Sequence, residues 1–420
     1  MASLPEGDPA PPDGLLPPSA RENADADFGI YIHVPFCRVR CGYCDFNTYT
    51  ATDLPGVAQS DYGSIAEREI TFARDVLNAS GVPARSVSTV FFGGGTPTLL
   101  PPGHLASLIE RIKETWGIAP GAEITVEANP ETVDENSLRQ LSDAGVTRVS
   151  IGVQSFVPRV LSTLDRTHNP EAVPRVVDAA RRVGLSVSLD LIYGSPGETP
   201  EEWAHTLQQA IGLQPDHISA YSLIVEPGTV LARRVERGEL QPIDEDTQAA
   251  FYEMADDAFS AAVYEWYEVS NWTRGVDHRS QHNLSYWTNT DWWGVGPGAH
   301  SHVGGVRWWN VKHPKAYAER IEKGVSPALA REILSEDEKY TEKVMLRLRI
   351  RDGLPISSLR PGHQQVVAWA IAEELVDAEA ALRGTLVLTR TGRLVADGVA
   401  RQLLGSWVLS EPRVETGPYH

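Results

Sequence analysis

Three cysteines fall in one short run, Cys37-Arg-Val-Arg-Cys41-Gly-Tyr-Cys44, and the chain has no others. An odd number of neighbouring thiols with no distant partners does not make a disulfide framework. Thiols spaced this way are thiolate ligands. Zinc ordinarily takes four protein ligands in two separated pairs, and here it would need a Cys3His set completed by His33. A cubane iron–sulfur cluster held by three thiolates keeps one iron free of protein, and that iron can take a small molecule. We read Cys37, Cys41 and Cys44 as ligands of a [4Fe–4S] cluster, with the Cys3His zinc site as the alternative.

The elements that must position this run alternate along the chain. Short β-branched or aromatic runs predict strands at Gly29–Val34, Ser88–Phe92, Glu123–Glu127, Arg148–Val153, Ser186–Ile192 and His217–Leu223. Amphipathic patterns predict helices at Tyr62–Asn78, Gly103–Thr115, Asn136–Ala144, Glu171–Val183 and Pro200–Gly212. Such alternation implies parallel strands joined by right-handed crossovers. Six units are fewer than the eight of a closed barrel, so the fold class expected is α/β, a partial (βα)6 barrel. Cys37, the glycines 93–95, Glu127, Gln154 and Asp190 all fall at or just past the carboxyl ends of these strands, where such sheets build their sites.

The remaining organisation is read more coarsely. Residues 1–26 are rich in Pro, Ala, Asp and Gly and are expected to be disordered. The barrel is assigned to 27–230 and an α+β extension to 231–335. That extension carries a helix at Glu245–Ala262, a strand at Tyr264–Val269 and a loop region dense in Trp, His, Asn and Gly from Ser270 to Asn310. A winged-helix-like module is assigned to 336–405 and a tail to 406–420. The net charge of −19 over 420 residues argues against a broad nucleic-acid footprint. No apolar run approaches the roughly 18 residues of a membrane span. The opening residues lack a basic region and an apolar core, and the thiols fit a reducing compartment, so a cytoplasmic location is expected.

Seven stretches in order carry a resemblance. They are Tyr31-Ile-His-Val-Pro-Phe-Cys37, Cys44-Asp-Phe-Asn47, Phe92-Gly-Gly-Gly-Thr-Pro97, Val126-Glu-Ala-Asn-Pro130, Gly152-Val-Gln-Ser-Phe156, Asp190-Leu-Ile-Tyr-Gly194 and His282-Asn-Leu-Ser-Tyr-Trp287. Over residues 28 to about 405 the chain resembles the HemW-type haem chaperone family of the radical S-adenosylmethionine superfamily, a close relative of the oxygen-independent coproporphyrinogen III oxidase. The resemblance implies that S-adenosylmethionine chelates the open iron and that an electron from the cluster can break its sulfonium S–C bond. It implies cofactor contacts from Tyr31, Tyr43, Gly94, Thr96, Glu127, Gln154, Arg166 and Asp190. Carboxylates suit an ammonium or ribose hydroxyls, and the Arg166 fork suits a carboxylate.

The motif at residues 282–287 separates the chaperone from other radical proteins. Histidine is a common axial ligand to haem iron, and aromatic rings can flank a large flat macrocycle. His282, Asn283, Tyr286 and Trp287 are therefore the expected haem contacts, with His278, His300 and His302 as alternative ligands. The oxidase has a fourth cysteine where this chain has Phe46, which counts against decarboxylation of coproporphyrinogen. The expected function is a chaperone that binds haem and passes it to acceptor proteins, membrane-surface ones among them, with no nucleic acid partner. The competing readings are the oxidase itself and a radical enzyme modifying RNA or peptide.

Overall fold

The computed structural model describes residues 5–21, 26–53 and 59–405. In chain order its strands are β1 (Asp8–Pro9), β2 (Phe28–Val34), β3 (Val87–Gly94), β4 (Ile118–Ala128), β5 (Arg148–Gln154), β6 (Ser186–Tyr193), β7 (His217–Ser222), β8 (Glu265–Glu268), β9 (Asn271–Thr273), β10 (Asp291–Val295), β11 (His300–Val303), β12 (Val306–Asn310), β13 (Ala328–Ile333), β14 (Leu354–Pro355) and β15 (Thr385–Leu386). The first thirteen form one sheet in the order β1-β13-β12-β11-β10-β2-β3-β4-β5-β6-β7-β9-β8. From β2 to β7 every neighbour is parallel, as the six βα units require.

The crossover helices begin where the local chemistry dictates. Thr199 caps the helix Pro200–Gly212, accepting from the Glu202 N–H while the Glu202 side chain returns to the Thr199 N–H, with proline at the first turn. Asp134 and Ser137 do the same for Glu135–Asp143. Alternation along the strands then splits the sheet into two faces. Ile30, Ile32, Val90, Phe92, Val126, Val149, Ile151 and Leu189 bury outward into a single large core, and the intervening residues face the barrel interior.

Three expectations change. The loop region Ser270–Asn310 instead contains β9, the helix Gln281–Trp287, β10, β11 and β12. Strand β10 pairs in parallel with β2, and β9 pairs antiparallel with β7. These strands are short, and β10 is buried at all five positions, so no period-two alternation marks them. The extension at 231–335 thus lengthens the barrel sheet at both edges and shares its core. Third, the disorder expected for 1–26 does not hold over the described part. β1 pairs with β13, Ala20 is fully buried, and the Leu16 N–H donates to Ser80 Oγ at 2.9 Å. Prolines lower the conformational entropy lost on ordering, so few contacts suffice to place such a segment. The expected tail at 406–420 lies outside the described residues.

The C-terminal module has its own core, with Val344, Leu348, Leu354, Leu386, Val399 and Leu403 at its centre and the β14–β15 ribbon beside it, a winged-helix-like arrangement. It docks on the extension helix Glu245–Ala261 through a buried ion pair, Arg393 Nη2 to Asp256 at 2.7 Å. No helix among the described residues is long and apolar enough to cross a membrane.

One buried acid braces the extension against the barrel. Glu69, on the helix Gln59–Ala79, is fully buried and accepts from the Gly296 N–H at 2.7 Å, from Asn310 Nδ2 at 2.8 Å and from the Tyr317 hydroxyl. Removing it strands three donors out of water. Glu69→Ala should lower the unfolding free energy by about 3 kcal/mol, read from urea denaturation of the full chain. A loss below about 0.5 kcal/mol would show that the network contributes nothing beyond a surface contact.

Candidate functional site

The cysteine loop leaves β2 with no regular structure of its own and is pinned by backbone hydrogen bonds. The Cys37 N–H donates to Tyr49 O, Tyr49 N–H to Pro35 O, and Thr96 N–H to Phe36 O. The Gly42 N–H donates to Leu164 O, and the Leu231 N–H donates to Gly42 O. Gly95 has to be glycine: a Cβ there would sit 2.5 Å from the Phe36 carbonyl oxygen. All three thiols are free and half-buried. Burial pushes the Cys44 thiol up to about 11, with the Cys41 charge adding to it. Arg166 Nη1 reaches Cys41 Sγ at 3.6 Å.

His33 is not a fourth ligand. Its Nε2 lies 2.9 Å from the Asn47 carbonyl, which can only accept, so Nε2 carries the proton. Nδ1 then accepts from the Tyr31 hydroxyl at 2.9 Å. No lone pair is left for a metal, which removes the Cys3His alternative. Among the described residues no three His, Cys, Asp or Glu side chains are placed to hold a single metal ion. A cubane instead spreads its thiolates over separate irons.

The sheet register arranges the inward-facing residues in layers. The lowest holds Gly29, Thr89 and Glu123; the next Tyr31, Phe91, Thr125 and Arg148; the upper His33, Gly93, Glu127 and Ser150. Continuing around the sheet, Gly152 pairs with Asp190, Asp190 with Ser219, Ser219 with Asn271 and Asn271 with Glu268. Glu127, Gln154, Arg166 and Asp190 therefore face the same rim as the cysteine loop. Glu127 accepts from the Gly94 N–H at 3.2 Å. Burial, with the Asp190 charge adding to it, pushes Glu127 up to about 8. Asp190 is raised by burial against the opposing hydroxyls of Ser150 and Ser219. Ser150 Oγ donates to it at 2.8 Å.

Several features of this rim suit a bound small molecule. Gln154 follows a register slip in β5 with φ of 56°, a left-handed conformation that costs a non-glycine residue about 1 kcal/mol. Its Oε1 is buried without a partner, as is Arg166 Nε. Gly94, with φ of 106°, sits against the His33 ring, where a Cβ would come within 2.6 Å. The Arg166 fork is held by Gly152 O at 2.6 Å and Asn129 Oδ1 at 2.9 Å. Asn129 also donates to Thr96 Oγ1 at 3.2 Å. Tyr43 packs its ring with Leu223 and Leu231, beside the cysteines. The residues present fit an amino-acid nucleoside at the open iron: a donor at Arg166 Nε, acceptors at Gln154 Oε1, Glu127 and Asp190.

Sequence reasoning passed over Asn129, Ser150 and Asn47, although two of them lie inside quoted stretches. Asn47 Nδ2 donates to Pro297 O and Lys312 O, both at 2.9 Å, tying the cysteine loop to the extension. Such ties span 250 residues or more and leave no local signal.

The motif at residues 282–287 lies at the opposite end of the barrel. His282 is buried, with Nδ1 at 2.8 Å from Thr89 Oγ1 and Nε2 at 2.8 Å from the Tyr286 hydroxyl. The Gln281 and His282 N–H groups donate to Glu123, and Asn283 Nδ2 donates to Glu268 at 3.0 Å. Trp287 is half-buried, and its Nε1 has no partner. Of the alternative ligands, His302 accepts from the Gly305 N–H, His300 stacks on Trp309, and His278 is 3.9 Å from Asp216.

Cys41→Ala should remove most of the iron and the brown absorbance from protein reconstituted anaerobically, and full retention of iron and sulfide would overturn the ligand set.

Comparison with known proteins places the chain in a family. The radical SAM superfamily pattern matches residues 31–210. The haem chaperone HemW of Mycobacterium tuberculosis is 45% identical over 379 residues, covering 90% of this chain and 95% of the relative. The Bacillus subtilis HemW is 34% identical over 385 residues, covering 89% and 98%. The solved coproporphyrinogen III oxidase HemN of Escherichia coli superposes with a TM-score of 0.75 over 93% of this chain and 92% of its own, at 23% identity, a likeness of fold. The chain belongs to the HemW family of the radical SAM superfamily.

Proposed function

We propose that this chain is a haem chaperone, binding haem and handing it to acceptor proteins, and that it carries a [4Fe–4S] cluster on Cys37, Cys41 and Cys44 with exchangeable S-adenosylmethionine beside it. The observation that carries the reading is the 45% identity to a haem chaperone across nine-tenths of the chain. The cysteine loop and the polar strand-end rim beside it support it. When bound, the pair supplies reductive cleavage of a sulfonium S–C bond. In this reading Arg166 orients the cofactor's carboxylate, and Glu127 and Asp190 accept from its ammonium and ribose hydroxyls. Gln154 contributes its unpartnered oxygen, and Tyr31, Tyr43, Gly94 and Thr96 enclose the remainder. Haem contact is proposed on the half-exposed side of the motif helix, at Asn283, Tyr286 and Trp287. The place of action proposed is the cytoplasm, with acceptors at the membrane surface included.

The oxidase reading is disfavoured by two local facts. Phe46 stands beside the cluster ligands where the oxidase has a fourth thiol, and it is 41% exposed. The barrel interior also presents Glu127, Asp190 and Glu268 in one belt. A porphyrinogen bearing four propionates would add like charge to carboxyls that burial already disfavours as ions.

Two measurements test these assignments. Glu127 is raised to about 8, so below that pH it holds a proton that it must lose to meet the cofactor's ammonium as a charged carboxylate. S-adenosylmethionine affinity should therefore rise between pH 6.5 and 8.5 more steeply in the wild type than in Glu127→Gln, the cofactor's own titration being common to both. Parallel slopes would remove Glu127 from the site. Second, the reconstituted protein should bind haem yet leave coproporphyrinogen III unconverted in the presence of reductant and S-adenosylmethionine. Sustained conversion would replace the chaperone reading with the oxidase.

A further inference from the structure

The His282 imidazole sits where it can act on the cofactor site without touching it. Its ring stacks on Phe91 with centroids 5.2 Å apart and on Tyr31 at 6.4 Å, inside the barrel. The Tyr31 hydroxyl donates to His33 Nδ1, and His33 Nε2–H donates to the carbonyl of Asn47, three residues beyond Cys44. An unbroken column thus runs from the barrel floor at Thr89 to the loop that holds the cysteines. Tyr31 also lies beside Glu127: a Cβ on Gly93 would meet the Tyr31 ring at 3.1 Å and Glu127 Oε2 at 3.2 Å.

We infer that His282 is a positioning residue for the cluster and cofactor site, acting through Tyr31 and His33, and is not the axial ligand of haem iron. Both of its nitrogens are already hydrogen-bonded, and ligating iron through Nε2 would require Tyr286 to leave. Its backbone N–H is held by Glu123 at 3.1 Å, which fixes the start of the motif helix under the barrel. Burial keeps the imidazole neutral, pushed down to about 3, as an uncharged hydrogen-bonded ring in an aromatic stack should be. Removing it leaves a void beneath Tyr31 and Phe91, and a ring freed to drop into that void releases His33 and the loop above. The inference rests on the cofactor reading of the strand-end rim and is independent of haem delivery.

Thr89 provides the test, because it holds Nδ1 from within β3 and is itself buried. Full-length protein is reconstituted anaerobically as wild type, Thr89→Val, Thr89→Ser and His282→Ala. Each is titrated with S-adenosylmethionine, followed by the electron paramagnetic resonance signal of the reduced cluster, and separately with haem, followed by its Soret band. Thr89→Val and His282→Ala should weaken S-adenosylmethionine at least five-fold with iron content retained, and Thr89→Ser should restore it. Haem affinity in His282→Ala should stay within two-fold of wild type, with the Soret band unmoved. Unchanged S-adenosylmethionine affinity in both altered proteins overturns the inference, as does a shifted Soret band in His282→Ala with cofactor affinity intact. Should His282→Ala fail to fold, the Thr89→Val and Thr89→Ser pair decides alone. A wild type that binds no S-adenosylmethionine overturns the cofactor reading itself, and one that takes no haem overturns the chaperone reading while the cofactor titrations still judge His282.

Discussion

The hydrogen bond from His33 Nε2 to the Asn47 carbonyl joins the most regular part of the molecule to the least regular. His33 is the penultimate residue of a central parallel strand; Asn47 lies in a loop without helix or strand. A cluster loop has to present its thiolates at defined positions, yet its own backbone offers no ladder to hold it. The bond supplies that hold and in doing so commits both nitrogens of His33, because a carbonyl accepts and the remaining nitrogen must then accept from Tyr31. The same commitment rules His33 out as a metal ligand and extends the fixed geometry down into the barrel.

The barrel interior is polar where it meets the cofactor rim and aromatic beneath it. Carboxyls at Glu127, Asp190 and Glu268 stay there only because hydroxyls, amides and backbone N–H groups reach them. Each has its ionised form disfavoured by burial, most visibly Glu127. Groups so arranged favour a ligand that brings hydrogen-bond donors and positive charge to them, with any carboxylate directed to Arg166. The fold is shared with a porphyrinogen oxidase at a TM-score of 0.75, but fold does not carry activity.

Glu69 shows how much of the site is supported from a distance. It holds the Gly296 N–H and Asn310, and the neighbouring Pro297 carbonyl takes the Asn47 amide. The extension is therefore a buttress of the cluster loop as well as an edge of the sheet. Strands β10 and β12 of that buttress are buried at almost every position, so their sequence reads as apolar and aromatic without period.

The sequence by itself determined the six parallel strands and which residues stand at their carboxyl ends, and it proposed the three cysteines as cluster ligands. Spacing of three thiols, alternation of strand and helix patterns, and the rule that sites form at carboxyl ends of parallel strands are all local or periodic signals. Over the described residues 5–21 the disordered reading failed because a proline-rich segment can be placed by few contacts, and those contacts lie on β13 and Ser80, far along the chain. The motif at 282–287 was legible as a motif but not as a location. Only the tertiary structure decided that His282 faces the barrel floor with both nitrogens bonded, because its partners Thr89 and Glu123 lie 193 and 159 residues away and burial is a property of the packed whole.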